Sequence, residues 1–290
     1  MVKFVCTFIL IFLCNLSQAQ MKYGIRAGLC RSSLQGPFEK DNAGNEIETA
    51  EATTGFVVGA TAGYQFTDMF GVRAELLYSV HGGKKRFDSM NAYQRFITDN
   101  GQVLIAQGQK KQLLSVYNSY IMLPVSVHGL FFKRLELSVG IGPSFLVNST
   151  GSGEVSNVLS NSSGLDNKTL IQKLDHNYFR DNPTTRLGEE KKFLFQGEEI
   201  TTQTDLSAYQ NFTEKDGSYY NPIDLTFLAG VSYYLNNSLF IGARLCYGLN
   251  DVSNTKYDIS LQDLDANNNF ITRDDFDRNF DWQFMVGFQF

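Results

Sequence analysis

Large apolar residues recur at every second position in eight separate stretches of this chain. In "GFVVGATAGYQF" they are Phe56, Val58, Ala60, Ala62, Tyr64 and Phe66; in "MFGVRAELLYSV" they are Phe70, Val72, Ala74, Leu76, Tyr78 and Val80. The same alternation runs through 23–29, 117–127, 135–147, 223–235 and 239–249, and again through "DWQFMVGFQF" at 281–290. A period of two predicts β-strands, and each stretch is long enough to cross a bilayer as a tilted strand.

The opposite faces of these strands are polar or small. They carry Arg26, Arg73, Glu75, Glu136, Asp224 and Arg244, among glycines, serines and threonines. An arginine turned to lipid near the bilayer midplane costs roughly 2–4 kcal/mol. Three of them would consume a large share of a domain's net stability. The apolar face is therefore expected to meet lipid and the charged face to line a lumen. The interior of an eight-stranded barrel is just wide enough for side chains to fill, so the six charges are expected to form a packed ion-pair network. A narrow gated pore is the functional alternative.

The connections alternate strictly. "QFTDMF", "GLFFKRL" and "LNNSL" are short; polar stretches at about 31–53, 82–113, 149–221 and 250–279 are long. This predicts an all-β, eight-stranded, antiparallel up-and-down transmembrane barrel, with short periplasmic turns and long extracellular loops. Pro124 and Pro143 fall inside strands. Proline cannot donate to a ladder, so local bulges are expected there.

The N-terminus adds a compartment. Residues 1–19, "MVKFVCTFILIFLCNLSQA", combine Lys3, a short apolar run and a small-x-small end at Ser17 and Ala19. This reads as a cleaved signal peptide, leaving 20–290 as the barrel domain. Cys14 lacks the small residue ahead of it that lipoprotein processing needs. Cys30 and Cys246 are too few for a disulfide framework. Phe 24, Tyr 14 and Gly 25 against Pro 5 suit a barrel, and the net charge of −5 argues against nucleic acid. The chain closes on Trp282, Phe284, Val286, Phe288 and Phe290. A last strand must pair with the first to remove the barrel's edges, and its aromatic end suits a signal read by the outer-membrane assembly machinery.

Three segments carry a family likeness. "YGIRAGLCRSSL", "YIMLPVSVHG…LELSVGIGPSFLV" and "LFIGARLCYGLNDVSNT" resemble the opening, centre and penultimate strand of PorT-like outer-membrane β-barrel proteins of Bacteroidetes. Cys30 departs from an asparagine common in that pattern, and His128 from a lysine. The resemblance implies a location in the bacterial outer membrane and this architecture. One member of the family is needed for a secretion system, which implies an accessory role in secretion or transport as one function.

Candidate chemistry is sparse. Lys84, Lys85 and Arg86 at one root of the second loop and Lys110 and Lys111 at the other are expected to meet at the outer rim, where lipopolysaccharide phosphates lie. An ordinary solvated charge patch is the plainer reading. His81 and His128 are expected at opposite ends of the barrel, with His176 in the third loop, so no Ser/His/acid constellation forms. "DLDANNNFITRDDF", with Asp263, Asp265, Asn267 and Asp274 or Asp275, resembles a calcium loop but has one residue too many and no turn glycine. A polar hairpin tip fits better. A soluble lipocalin-type barrel would need an apolar interior, which the arginines deny. The expectation is a non-enzymatic structural or surface-interaction protein without cofactor or metal. Its expected partners are outer-membrane lipid, lipopolysaccharide, the assembly machinery and an envelope protein. A lipid-modifying hydrolase is the least supported reading.

Overall fold

The computed structural model describes residues 20–98 and 100–290; the signal peptide expected at 1–19 lies outside them. In chain order the strands are β1 Gln20–Gln35, β2 Glu48–Gln65, β3 Phe70–Ile97, β4 Val103–Met122, β5 Val125–Phe131, β6 Leu135–Val158, β7 Ser162–Ser163 and β8 Thr169–Asn177. They continue with β9 Leu187–Phe195, β10 Glu198–Leu206, β11 Ile223–Tyr234, β12 Leu239–Gly248, β13 Ile259–Leu264, β14 Phe270–Thr272 and β15 Arg278–Gln289. Strands β1, β2, β3, β4 with β5, β6, β11, β12 and β15 close a ring of eight. β15 completes it by pairing with both β1 and β12, from Gly24–Gln289 to Gln35–Arg278 on one side. All-antiparallel neighbours and short turns at one end make this the up-and-down barrel that the alternation predicts.

Exposure follows the alternation. Ile25, Leu29, Leu76, Val125, Val127, Phe284 and Val286 project outward and are exposed, whereas Arg26, Arg73, Glu75, Glu136 and Arg244 are all buried. An apolar exterior around a charged interior is stable only where lipid surrounds the wall.

Both prolines depart from expectation, since neither makes a bulge. The β6–β11 register runs unbroken through Pro143. Pro124 separates β4 from β5 without changing register on either neighbour, Leu77–Met122 being in step with Ala74–Val125. Both prolines still accept, Leu123 N donating to Pro143 O (2.9 Å) and Glu75 N to Pro124 O (3.0 Å). Gly142 faces Pro124, and a Cβ there would lie 2.3 Å from Pro124 Cα. The missing side chain makes room for the ring without a shift. The bulge in this part of the wall falls instead between Ser119 and Tyr120.

The connections expected as loops over 82–113 and 149–221 are largely strand. β3 has 28 residues, β4 20 and β6 24, whereas about 9–11 suffice to cross a bilayer. The surplus continues the wall outward, and β8, β10, β9 and β7 extend it. The wing has its own core, Phe96, Ala106, Leu170, Phe193, Phe195 and Ile200. The β9–β10 hairpin turns on Gln196 and Gly197, both at positive φ (55° and 89°), which matches the twist of antiparallel strands. Between wing and barrel, Tyr178, Tyr209, Phe212, Tyr219, Tyr220 and Tyr257 pack mainly edge to face. They join the apolar upper lumen, including Val116, Tyr120 and Met285, in one core.

Candidate functional site

Charges line the barrel because every second residue of each strand points inward. Glu75 on β3 takes two arginines from across the lumen: Arg26 Nη1 lies 3.1 Å from Oε1 and Arg244 Nη1 2.7 Å from Oε2. Arg73 holds Glu136 on β6 in a two-pronged pair, both contacts at 2.7 Å. This geometry matches the fork of a guanidinium to a carboxylate. Two polar residues that the sequence reading passed over complete the set. Gln283 Oε1 accepts from Arg244 Nε (3.1 Å) and Nη2 (2.7 Å), and the Tyr234 hydroxyl contacts Glu136 Oε2 (3.1 Å) and Gln289 Oε1 (2.9 Å). Their only sequence signal was inward phase between outward aromatics.

Asp224 stands apart from this network. Its Oδ2 accepts from Asn279 Nδ2 at 3.1 Å, and that amide also donates to the Tyr120 hydroxyl at 3.2 Å. Nearby, His81 Nδ1 lies 3.3 Å from Asp281 Oδ2, with the ring edge-on to Tyr120. Neither His81 nitrogen makes a hydrogen bond among the described residues, and buried Ser79 Oγ has none either. Nothing here links a serine to a histidine as a nucleophile requires. His128 reaches Gln65 at the short-turn end (3.2 Å). Cys30 and Cys246 are buried free thiols.

The five rim cations do not share a face. β3 turns Lys84 and Arg86 outward and Lys85 inward, and β4 turns Lys111 outward and Lys110 inward. Arg86 pairs with Glu51 at 3.5 Å and Lys111 with Asp88 at 3.2 Å on the exposed wall. Lys85 enters the barrel mouth, 3.1 Å from Asp277 and 3.8 Å from Glu48. Lys110 lines the same chamber. Pairing does bring the loop roots together, Asp88 opposite Lys111 and Ser89 opposite Lys110, but side-chain parity sends the charges to two sides of the wall.

The 263–275 segment is the β13–β14 hairpin. Asp265 Oδ1 closes its tip by accepting from Asn267 N and Asn269 N, both at 2.8 Å. Asp258, Asp275 and Asp277 bring carboxylate oxygens within 4.8 Å of one another, the one such trio among the described residues. Arg273 pairs with Asp275 and Lys85 with Asp277, so side-chain cations already sit where a metal ion would. Burial, then the neighbouring Asp275 carboxyl, pushes Asp258 up to about 8. The closing strand presents Trp282, Phe284, Val286, Phe288 and Phe290 outward, all exposed. Phe290 N donates to Tyr23 O (2.8 Å), and Phe290 O accepts from Tyr23 N (3.0 Å), tying the last residue to the first strand.

A family model described as "Outer membrane protein beta-barrel domain" matches residues 17–254. No curated protein matches the sequence. Among solved structures, the chain is similar to Ail of Yersinia pestis in complex with the heparin analogue sucrose octasulfate. That match has 11% identity over 93% of this chain and 99% of that one, at a TM-score of 0.36. It is also similar to OprG of Pseudomonas aeruginosa (11% identity, 93% and 95%, TM-score 0.35) and to neisserial surface protein A (12%, 92% and 97%, TM-score 0.31).

Proposed function

From the premise that the chain belongs to the outer membrane protein beta-barrel domain family and resides in the bacterial outer membrane, we propose that it is a non-enzymatic surface-interaction protein whose working part is the strand-built extracellular half. The observation that carries this reading is that this half is built of paired strands around a core of its own. A barrel needing only an anchor would end its strands near the membrane, whereas β3, β4 and β6 run on into a wing with its own core. The cross-braces of Arg26, Arg73 and Arg244 through Glu75 and Glu136 favour a filled lumen over a transport path. Catalysis finds no support in the isolated His81–Asp281 pair. Lys84, Arg86 and Lys111 on the outer wall would suit lipopolysaccharide phosphate, and the outward aromatics of β15 suit recognition by the assembly machinery.

A second reading, the PorT-like accessory role in secretion, is favoured by the three sequence segments that resemble that family. It would place the partner at the periplasmic turns. A photo-reactive amino acid at Met90 on the wing or at Phe132 on a periplasmic turn, both strongly exposed, separates the two. Envelope or surface components captured from Met90 are the expected result. Capture from Phe132 alone would overturn the surface reading in favour of the accessory one.

A further inference from the structure

A crevice with two chambers lies between the wing and the barrel. The inner one, about 130 Å³, sits over the barrel mouth; the outer one, about 330 Å³, lies beneath the wing. Gln94, Leu206, Ser207, Gln210 and Asn211 line both. A cavity of about 150 Å³ holds a benzene ring, so together the two have room for a ligand of roughly one or two rings.

The inner chamber contains a buried cation without an anion. Lys110 is 6% exposed, and its Nζ donates to Gln94 Oε1 at 3.1 Å. No carboxylate among the described residues lies within ion-pair distance of it. The contrast with Lys85 of the same chamber, which is paired with Asp277 and Glu48, is sharp. Glu39, whose charge Lys110 feels, is engaged elsewhere: it accepts from Ser260 Oγ and from the backbone N–H groups of Leu261 and Gln262. Two further buried polar atoms of residues lining the chamber have no hydrogen-bond partner among the described residues, Ser207 Oγ and His176 Nε2. A buried ammonium with no carboxylate opposite it is costly to leave unmatched, so an anion reaching Lys110 would be stabilised there.

The chemistry of the walls narrows the ligand. The other cations lining the inner chamber, Lys85 and Arg273, are already paired with carboxylates, so the one ammonium left without an anion, beside Glu39, Glu48 and Asp258, suits a monoanion rather than a phosphate dianion. The outer chamber is lined by the amides of Gln172, Gln203, Gln210 and Asn211 and by threonine hydroxyls, with Arg95 and Arg186 balanced by Glu190 and Asp205 in the same lining. An amide offers both donors and an acceptor, which matches sugar hydroxyls and not an alkyl tail. We propose that this crevice binds a sugar acid, its carboxylate on the Lys110 ammonium and Ser207 hydroxyl in the inner chamber and its hydroxylated body in the outer one. Gln94 lines both chambers, and its side chain is the partner the carboxylate displaces from Lys110. The proposal deepens the surface-interaction reading and rests on it.

The test is calorimetric titration of the full chain, folded in detergent, with galacturonate, neutral galactose and acetate. Galacturonate, a sugar with one carboxylate, is expected to bind at least tenfold tighter than either other probe. Lys110→Met is expected to lower its affinity at least tenfold while leaving galactose unchanged. Should Lys110→Met misfold, the ranking of the three probes on the natural chain decides alone. Equal binding of galactose and galacturonate, binding of acetate as tight as galacturonate, or no binding of any probe overturns the proposal. Capture of a surface component from Met90 in that case leaves the surface reading standing without the ligand.

Discussion

The lumen and the crevice above it use the same residue types in opposite ways. In the lumen each arginine head meets a carboxylate, and each of the two glutamates that serve them is held from at least two sides. In the crevice Lys110, Ser207 and His176 present buried polar atoms with little or nothing opposite them. Arginines paired with carboxylates hold a wall in one shape; on the proposed reading, the Lys110 ammonium left without an anion is capacity for a ligand. On the proposed function, the difference separates the scaffold from the part that works.

The largest effect expected from breaking this contrast lies in the lumen. Glu75→Ala strands Arg26 and Arg244 together, at a cost of about 3–5 kcal/mol. Its signature is a large drop in the temperature at which the detergent-folded barrel loses its compact gel mobility. Arg73→Met combined with Glu136→Met should restore much of what either single change loses, because no charge is left alone. Unchanged stability in Glu75→Ala would remove the cross-brace from the account.

A smaller effect, of order 1–3 kcal/mol, separates the crevice by pH. Burial pushes Lys110 down to about 8, below the unfolded value of about 10.4. Between those values the unfolded chain keeps a proton the folded chain has released, so the Lys110 contribution makes stability rise with pH from about 8 to 10. Asp258, pushed up to about 8 by burial, acts in the opposite sense and earlier: the folded chain holds its proton, and stability is lost between about pH 4 and 8. Glu39, Glu48, Lys85, Arg273 and His176 line the same chamber. Denaturant midpoints across pH for the natural chain and for Lys110→Met therefore differ on the alkaline side, where the rise should vanish in the variant.

The smallest expected stability change is at Phe290. Full burial of a phenylalanine contributes about 1.5–3 kcal/mol, and this one is 70% exposed, so the finished barrel loses little when it is deleted. The yield reaching the outer membrane should nonetheless fall, because an assembly signal is read while the strand is still an open edge. A normal yield with a strongly destabilised barrel would reverse that assignment and make Phe290 a packing residue.

Much of the crevice was hidden by the way polar strands look in a sequence. The second connection carries Phe87, Ala92 and Phe96 among charged neighbours, with Asn100–Gly101 at its tip; that pair is a hairpin signal, yet the polar composition read as a loop. The split among Lys84, Lys85, Arg86, Lys110 and Lys111 follows from the same parity that orients the membrane strands, and was readable once these stretches are taken as strands. Asp224 was placed with the arginines because inward phase says which side a residue faces and nothing about its height in the lumen. The partnership of Arg244 with Glu75 and Gln283 depends on how β12, β15 and β3 are staggered around the ring, and stagger is a property of closure.

By itself, then, the sequence determined the eight membrane strands, their inward and outward faces, the alternation of short and long connections and the closing strand. These are local consequences of side-chain period and of the cost of placing charge in lipid. Only the tertiary structure decided which charges meet, that the long connections rise as a wing, and that Lys110 lies buried beside an open chamber. Those depend on bringing residues such as Lys110, His176 and Ser207 together from far apart in the chain, and no periodicity records a distance across a barrel.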